Sequence, residues 1–509
     1  MSAFLKFHCT FAISLLCSAT ICIADVTNAN VWENWQSFMT SMEYNINANE
    51  TVSGNILTVT DVKITMYSPI GEEKMVAALP DIQFKEQGDG SVRVDISEKG
   101  IIDLDIAPET GGTVSASIGF SQDGLNMIVT GDPDNFNYAY SAKKLGLALD
   151  NLIVDKEAIG ADLAKVQVRL MGVNGNSASS TSELQRYSQS ASIDVINFEA
   201  AFSDHESGGK LKIKGSLNDL ASDNTGTIPN TGINTQDVVA MLDAGFTVKG
   251  ALTYQTANMD IAFDGPDGAG TTTTSSTGGE VAVAIGSNGM SYNIGQKDLA
   301  INALVPNVPF PITLGMAEST FNLAMPLRKS DNEQQFAFGF RMDNATVSDM
   351  LWSMLDPSFQ LPRNPATIAV DLSGKAKVLF DFLDPDQAAA LESSGAAPGE
   401  LNALSLNSLV VDAVGARLTA AGNFTFDNTD LVSFNGVPRP TGGIDLKLVG
   451  GNGLLDNLVN MGILPEQQAM GARMMIGLLA RTGTEPDTIT SNIEINATGH
   501  ILANGQRIQ

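Results

Sequence analysis

From about Val52 onward the chain alternates apolar and polar residues with a period of two. In "SVRVDIS", Val92, Val94 and Ile96 fall on one side of the backbone, against Arg93 and Asp95 on the other. The stretches "IIDLDI", "TVSASIGF" and "GLNMIVTG" repeat the scheme, separated by the turn-forming "SEKG", "APETGG" and "SQDG". It returns in "KLKIKGSL", "EVAVAIG", "QQFAFGFRM", "TIAVDLSGKAKVLFDFL" and "GGIDLKLVG". Short alternating runs parted by Gly and Asp predict antiparallel strands with one buried and one wet face. "LTVTDVKITM", "LGLALDNLIVD" and "LSLNSLVVDAVGARLTAAG" each read as strand, turn, strand, an echo of duplicated sheet units without a fixed repeat. The expected class is mainly β, a β-rich α+β arrangement of long curved antiparallel sheets with a few short packing helices.

Four stretches switch to helical spacing. Trp32, Trp35, Phe38, Met39 and Met42 recur at three and four residues within a helix expected over residues 30–44. "TVSDMLWSML" is expected to start on a capping box of Thr346 and Asp349 and to end at Asp356-Pro357. "LLDNLVNMG" and "PEQQAMGARMMIGLLARTG" form a late pair, the second opening with Pro465 at the first helical position and stopping at Gly483.

The longest break is "DGPDGAGTTTTSSTGGE", residues 264–280, whose Gly, Ser and Thr predict a flexible loop or linker. The expected layout is a signal peptide over 1–24, a helix and β-rich half over 25–263, that linker, and a second β-rich half over 281–509. "GVNGNSASSTS" (172–182) and "ESSGAAPGE" (392–400) are lesser expected loops.

The signal peptide rests on "MSAFLKFHCTFAISLLCSATICIAD", where Lys6 precedes an apolar run from Phe11 to Ile23. That run is too short to span a bilayer, and Cys22 and Ala24 stand at −3 and −1 for a cut before Asp25. Export out of the cytoplasm is the expectation, with no integral membrane span. Cys9, Cys17 and Cys22 all lie in that segment, so thiol chemistry and cysteine metal sites are excluded from the rest.

Charge narrows the partners. The full chain carries −28, and losing Lys6 with the peptide takes it to −29. Such a body repels nucleic acid and anionic membrane surfaces. An acidic, well-solvated surface is the expected meaning.

A search for chemistry returns little. His205 and His500 are the only histidines after the leader, and both sit in polar turns. "GFSQDG" lacks the final glycine of a nucleophile elbow. "GGNGLLDN" resembles a dinucleotide fingerprint but has Asp456 at the third small position, so its glycines read as a strand-to-helix turn. "DPDN", "DGPDG" and "DPDQ" lack calcium-loop spacing. No catalytic, cofactor-binding or metal residue is assigned, and a non-enzymatic role is expected. What remains is apolar surface: Trp32, Trp35 and Trp352, with Met470, Met474 and Met475 on the late helix. Each set reads either as a contact surface or as a helix face docked on the sheet, and docking is the commoner fate of such stripes.

Three passages carry a family resemblance: "DVTNANVWENWQSFMTSM", "DMLWSMLDPSFQLPRNPATIAVDLSGKAK", and the C-terminal run from "LLDNLVNMG" to "ANGQRIQ". With "LPRNPAT" and "ANGQRI" the chain resembles an uncharacterised family of exported alphaproteobacterial proteins, domain-of-unknown-function family 2125. That resemblance implies a periplasmic, β-rich protein of a Gram-negative cell and brings no site residues. In architecture the chain also resembles the strand-rich envelope proteins of the AsmA and YdgA kind, though it lacks their retained anchor.

The leading expectation is thus an envelope protein that binds lipid or another apolar component in a β-sheet groove. Val114, Ala116, Ile118 and Phe120 would supply one stretch of that groove, and Phe336, Phe338 and Phe340 another. The alternatives are an envelope scaffold without small ligand and, more remotely, a hydrolase built from dispersed acids. An outer-membrane barrel fits poorly, because aromatics make up 6% and form no girdles.

Overall fold

The structure, a computed structural model, describes residues 25–41, 44–67, 74–107, 112–204, 207–229, 237–395 and 397–509. The expected signal peptide (1–24), Met42 and His205 lie outside the described residues. Among the described residues all 28 strands belong to one antiparallel sheet, accompanied by a few short helices.

Helix α1 (Asn28–Ser41) leads into the hairpin of β1 (Asn45–Ser53) and β2 (Ile56–Tyr67). Two half-width strands share β2: β3 (Lys74–Leu79) on one end and β4 (Ile82–Glu86) on the other. From β4 one ladder passes to β5 (Val92–Ile96) and β8 (Asn126–Asp132). From β3 the other passes to β6 (Lys99–Ala107) and β7 (Val114–Asp123). Both ladders rejoin on β9 (Asn135–Val154), which also holds the short β10 (Glu157–Ile159).

Full-width strands β11 (Ala164–Ser180), β12 (Leu184–Ser203) and β13 (Lys210–Pro229) continue the meander. After α2 (Val238–Asp243) the split recurs, with β14 (Thr247–Tyr254) and β15 (Thr256–Gly265) sharing β13. Strands β16 (Gly268–Ser276) and β17 (Gly279–Gly286) carry both halves to β18 (Gly289–Leu304). Then follow β19 (Ile312–Met325), β20 (Gln334–Val347), α3 (Asp349–Leu355), β21 (Ala366–Val378) and α4 (Pro385–Ser394). The chain closes with β22 (Gly399–Ala413), β23 (Ala416–Asp427), β24 (Arg439–Val449), α5 (Gly451–Asn460) and α6 (Glu466–Leu479). Last come β25 (Arg481–Thr482), β26 (Thr488–Ile495), β27 (Ile501–Ala503) and β28 (Gln506–Arg507).

Several local expectations are corrected. The linker expected at 264–280 is largely β16, hydrogen-bonded to β15 on one side and β18 on the other. Its threonines are β-branched and fit a pleated ladder, which composition alone obscured. "GVNGNSASSTS" runs on as β11, and "ESSGAAPGE" holds the end of α4, closed by left-handed Gly395, and the start of β22. Helix α1 starts at Asn28 because Asn30 accepts from the Thr27 backbone N–H at 3.1 Å, tying down the first turn. Ser348, not Thr346, stands at the N-cap position of α3, without a side-chain capping bond, since Thr346 is still in β20. Helix α6 stops at Leu479 rather than Gly483, because Arg481 and Thr482 pair with β26, and Pro465 is its N-cap residue.

A line of left-handed residues crosses the sheet. Asp61, Gly172, Asp219, Asp298 and Asn344 have φ between 46° and 64°, each inside a strand. They align: Gly172 and Asp219 flank the same level of β12, and Asp298 lies where β16 gives way to β17. The apolar set changes phase at this line. In β13 it is Leu211, Ile213 and Leu217 before Asp219, and Leu220 and Ile228 after it. A left-handed residue bends its strand and re-aims the side chains that follow. This explains why "LTVTDVKITM" reads as two strands, whereas β2 runs unbroken through Asp61; in "LGLALDNLIVD" the break is a bulge of β9 between Leu149 and Asn151.

The dry core is small for so long a chain. Trp32, Phe84, Phe136, Val31, Val59, Val62, Val92, Val94 and Val129 are the largest fully buried apolar side chains, and all belong to one cluster of α1 with β2, β4, β5, β8 and β9.

A candidate apolar site on the sheet face

Trp32 is 2% exposed; its Nε1 donates to Glu50 Oε1 at 2.6 Å, and its ring meets Phe84 at 5.9 Å. It is a peg. Trp35 packs edge-on against the same Phe84 at 5.3 Å, and its outer side faces a cavity. Phe38 and Met39 form the rest of the α1 wall; Met127, Tyr138, Tyr140, Tyr187, Ile228, Phe246 and Val248 line the sheet side. The cavity holds about 490 Å³, within the usual range for small-molecule sites.

Several of its polar groups already have partners. Tyr138 Oη donates to Asn34 Oδ1 at 2.7 Å, Gln189 Nε2 donates to Tyr140 Oη at 2.9 Å, and Gln185 Nε2 donates to Ser37 Oγ at 3.3 Å. Burial pushes the Tyr138 and Tyr187 phenols up, so both stay neutral donors. None of the residues lining this cavity is charged.

The cavity opens onto a continuous apolar surface. Tyr187 faces Gly226, then Val248, Ile285, Met290 and Met325 on successive strands. The next row passes from Val283 through Tyr292, Leu323, Phe338, Leu372 and Leu406, then over Gly422 to Ile444 and Ile493. From Tyr138 to Ile493 this is roughly 65 Å of sheet at the usual strand spacing of about 4.8 Å. Tyr292, Phe321 and Phe338 interlock edge to face along it, at 6.3 and 5.8 Å. The row from Val283 to Ile493 is half-buried; nothing among the described residues covers it completely.

Glycines keep this face shallow. A Cβ on Gly175 would lie 2.3 Å from the Tyr140 ring, one on Gly226 would meet the Tyr187 ring, and one on Gly374 the Phe336 ring. Each ring therefore lies down across the neighbouring strand in the space a side chain would fill. The opposite face is polar, where Lys165 and Lys212 pair with Glu199 at 3.2 and 3.6 Å, and Lys214 with Asp260 at 3.3 Å.

The remaining sequence candidates lie elsewhere. Trp352 is half-buried on α3, beside Met350, Met354 and Leu355, all more than half exposed. Met470, Met474 and Met475 are 65%, 72% and 51% exposed on α6, so they fill no core gaps. Helices α3 and α5–α6 leave the ends of β20 and β24 at the same edge of the sheet, away from α1. "LPRNPAT" is a strut there: Arg363 reaches Asp349 at 3.0 Å and stacks on Phe359 at 4.2 Å. His500 sits in a terminal turn with Nδ1 3.1 Å from Thr498 Oγ1. Tyr138, Tyr140, Tyr187, Phe246 and Val248 were missed as site residues; the alternating aromatics of "NYAYSA" were their only signal.

Residues 240–500 match the model of a family described as an uncharacterised protein conserved in bacteria, DUF2125. The chain belongs to this family. No curated protein and no solved structure matches it. The matched segment runs from α2 to β26 and holds the row from Val248 to Ile493; α1 precedes it. Among the described residues no helix is long and apolar enough to cross a membrane, and no cluster of three or more His, Cys, Asp or Glu side chains is placed to hold a metal.

Proposed function

We propose that this DUF2125 protein is a non-enzymatic periplasmic envelope protein that holds lipid, or another apolar envelope component, along its sheet. The half-buried apolar row from Tyr138 to Ile493, which nothing among the described residues covers completely, carries this reading. A chain of 509 residues has the length to bury a large core, yet its fully buried bulk gathers under one helix. An apolar face of this extent left in water marks a binding surface. The likeness to AsmA- and YdgA-type envelope proteins points the same way.

The scaffold alternative draws on a separate observation, the exposed Met350, Met354, Met470 and Met474 along one edge, which suit an adaptable protein contact. Nothing comparable favours a hydrolase. Every carboxyl with a displaced pKa, from Asp89 to Asp487, is displaced downward, opposite to what a general acid needs.

The test is native mass spectrometry on protein isolated from the periplasm, with solvent extraction of what accompanies it. A reproducible lipid, lost on denaturation, is expected. A bare polypeptide mass would overturn the lipid reading, and a stoichiometric protein companion would favour the scaffold. N-terminal sequencing of the same sample should begin at Asp25.

A further inference from the structure

Resting on the lipid reading, we infer that the cavity beneath α1 is the blind end of the apolar face and receives the uncharged end of a single alkyl chain, tail first. Three observations converge on this occupant. Trp35, Met39, Met127 and Tyr138 both line the cavity and pack against the sealed core, so the cavity is closed on that side. On the other side it shares Tyr187 and Val248 with the open row that continues to Ile285 and Met290. A chain lying along the sheet is thus led into the cavity and stopped there.

The lining decides which end enters. A charged headgroup buried here would find no counter-charge and would lose its hydration without compensation. The amide and hydroxyl groups of Asn34, Tyr138, Tyr140 and Gln189 bond one another and do not depend on a ligand. About 490 Å³ suits one chain end and not a two-chain lipid. The cavity acts as a ruler: methylenes that fit inside gain burial, and those beyond it do not.

Delipidated full-length protein is titrated with straight-chain primary alcohols of increasing length, decanol to octadecanol, reading Trp35 fluorescence and native mass. Affinity is expected to rise about fourfold per methylene, at ~0.8 kcal/mol each, and then to level off. Val248→Phe narrows the cavity and moves the levelling point to shorter chains. Phe38→Ala widens the α1 wall and moves it to longer ones. Phe38 is 47% exposed, so this variant folds and decides the matter even if Val248→Phe does not. Binding whose length dependence is the same in wild type and both variants overturns the ruler while leaving the lipid reading intact. No binding of any alcohol by the wild type overturns both.

Discussion

Replacing Phe84 by Ala tests the junction on which the site depends. Phe84 is fully buried on β4, and the rings of Trp32 and Trp35 both rest on it, at 5.9 and 5.3 Å. Deleting a buried phenyl costs about 3–5 kcal/mol, through lost transfer energy and the cavity left behind. Of that, each aromatic pair contributes about 0.5–1.5 kcal/mol beyond simple burial. Besides this contact α1 is held by Val31 in the same core and by hydrogen bonds such as Trp32 to Glu50 and Tyr138 to Asn34. The loss should therefore appear first as release of α1, not as collapse of the sheet. Hydrogen exchange followed peptide by peptide is the assay. A loss of about 3 kcal/mol raises the opening constant of α1 more than a hundredfold, at tenfold per ~1.4 kcal/mol. Peptides from β22 to β24 should exchange as before. Two of the three tryptophans sit on α1, so their emission should shift to the red in parallel. Exchange in α1 that rises less than about fivefold would refute the reasoning and place the hold on α1 elsewhere.

Other consequences follow from the same geometry. Gly226→Ala places a Cβ 2.4 Å from the Thr247 carbonyl oxygen and from Tyr187 Oη. It should destabilise by about 1–3 kcal/mol in denaturant titration and weaken alkyl binding as the ring lifts into the cavity. Met474→Ser on exposed α6 should change stability by less than about 0.5 kcal/mol; a larger loss in thermal unfolding would show a packing role. Asp356 is fully buried and accepts the backbone N–H groups of Gln360 at 2.9 Å and Leu361 at 2.8 Å. Burial raises its carboxyl, but those two bonds outweigh it and hold the group below the ordinary 3.8. Its contribution is present above that ordinary value and is lost as pH falls through the lower native one. Peptides over 349–361 should lose protection as pH falls below the ordinary 3.8 in the wild type, and Asp356→Asn should flatten that dependence.

The strand-rich class was legible because period-two alternation is a local property, written into each segment by the pleat itself. So were the helix stripes of α1 and α6, which follow helical spacing whatever they touch. What each stripe touches was not legible. The same pattern of Trp and Met at three and four residues became a buried peg at Trp32, a cavity wall at Trp35 and an exposed surface at Met474. Local spacing sets which side chains share a face, and only long-range pairing sets what lies opposite that face. The left-handed aspartates show the limit most clearly. Asp61, Asp219 and Asp298 carry a turn signal, and they do leave the extended conformation, yet the neighbouring ladders hold the strands together across them. The threonine run at β16 errs in the same direction, its composition speaking for a linker and its two partners making it a strand.

By itself, then, the sequence determined an acidic, cysteine-free, strand-dominated body beyond residue 24, with apolar residues enough for one long face. Only the tertiary structure decided that the strands join into one sheet, that its apolar face stays half-buried rather than sealed, and that α1 closes one end over a cavity. The first set depends on neighbours two to four residues apart. The second depends on partners such as Trp35 and Tyr187, some 150 positions apart, whose meeting the chain's local pattern does not encode.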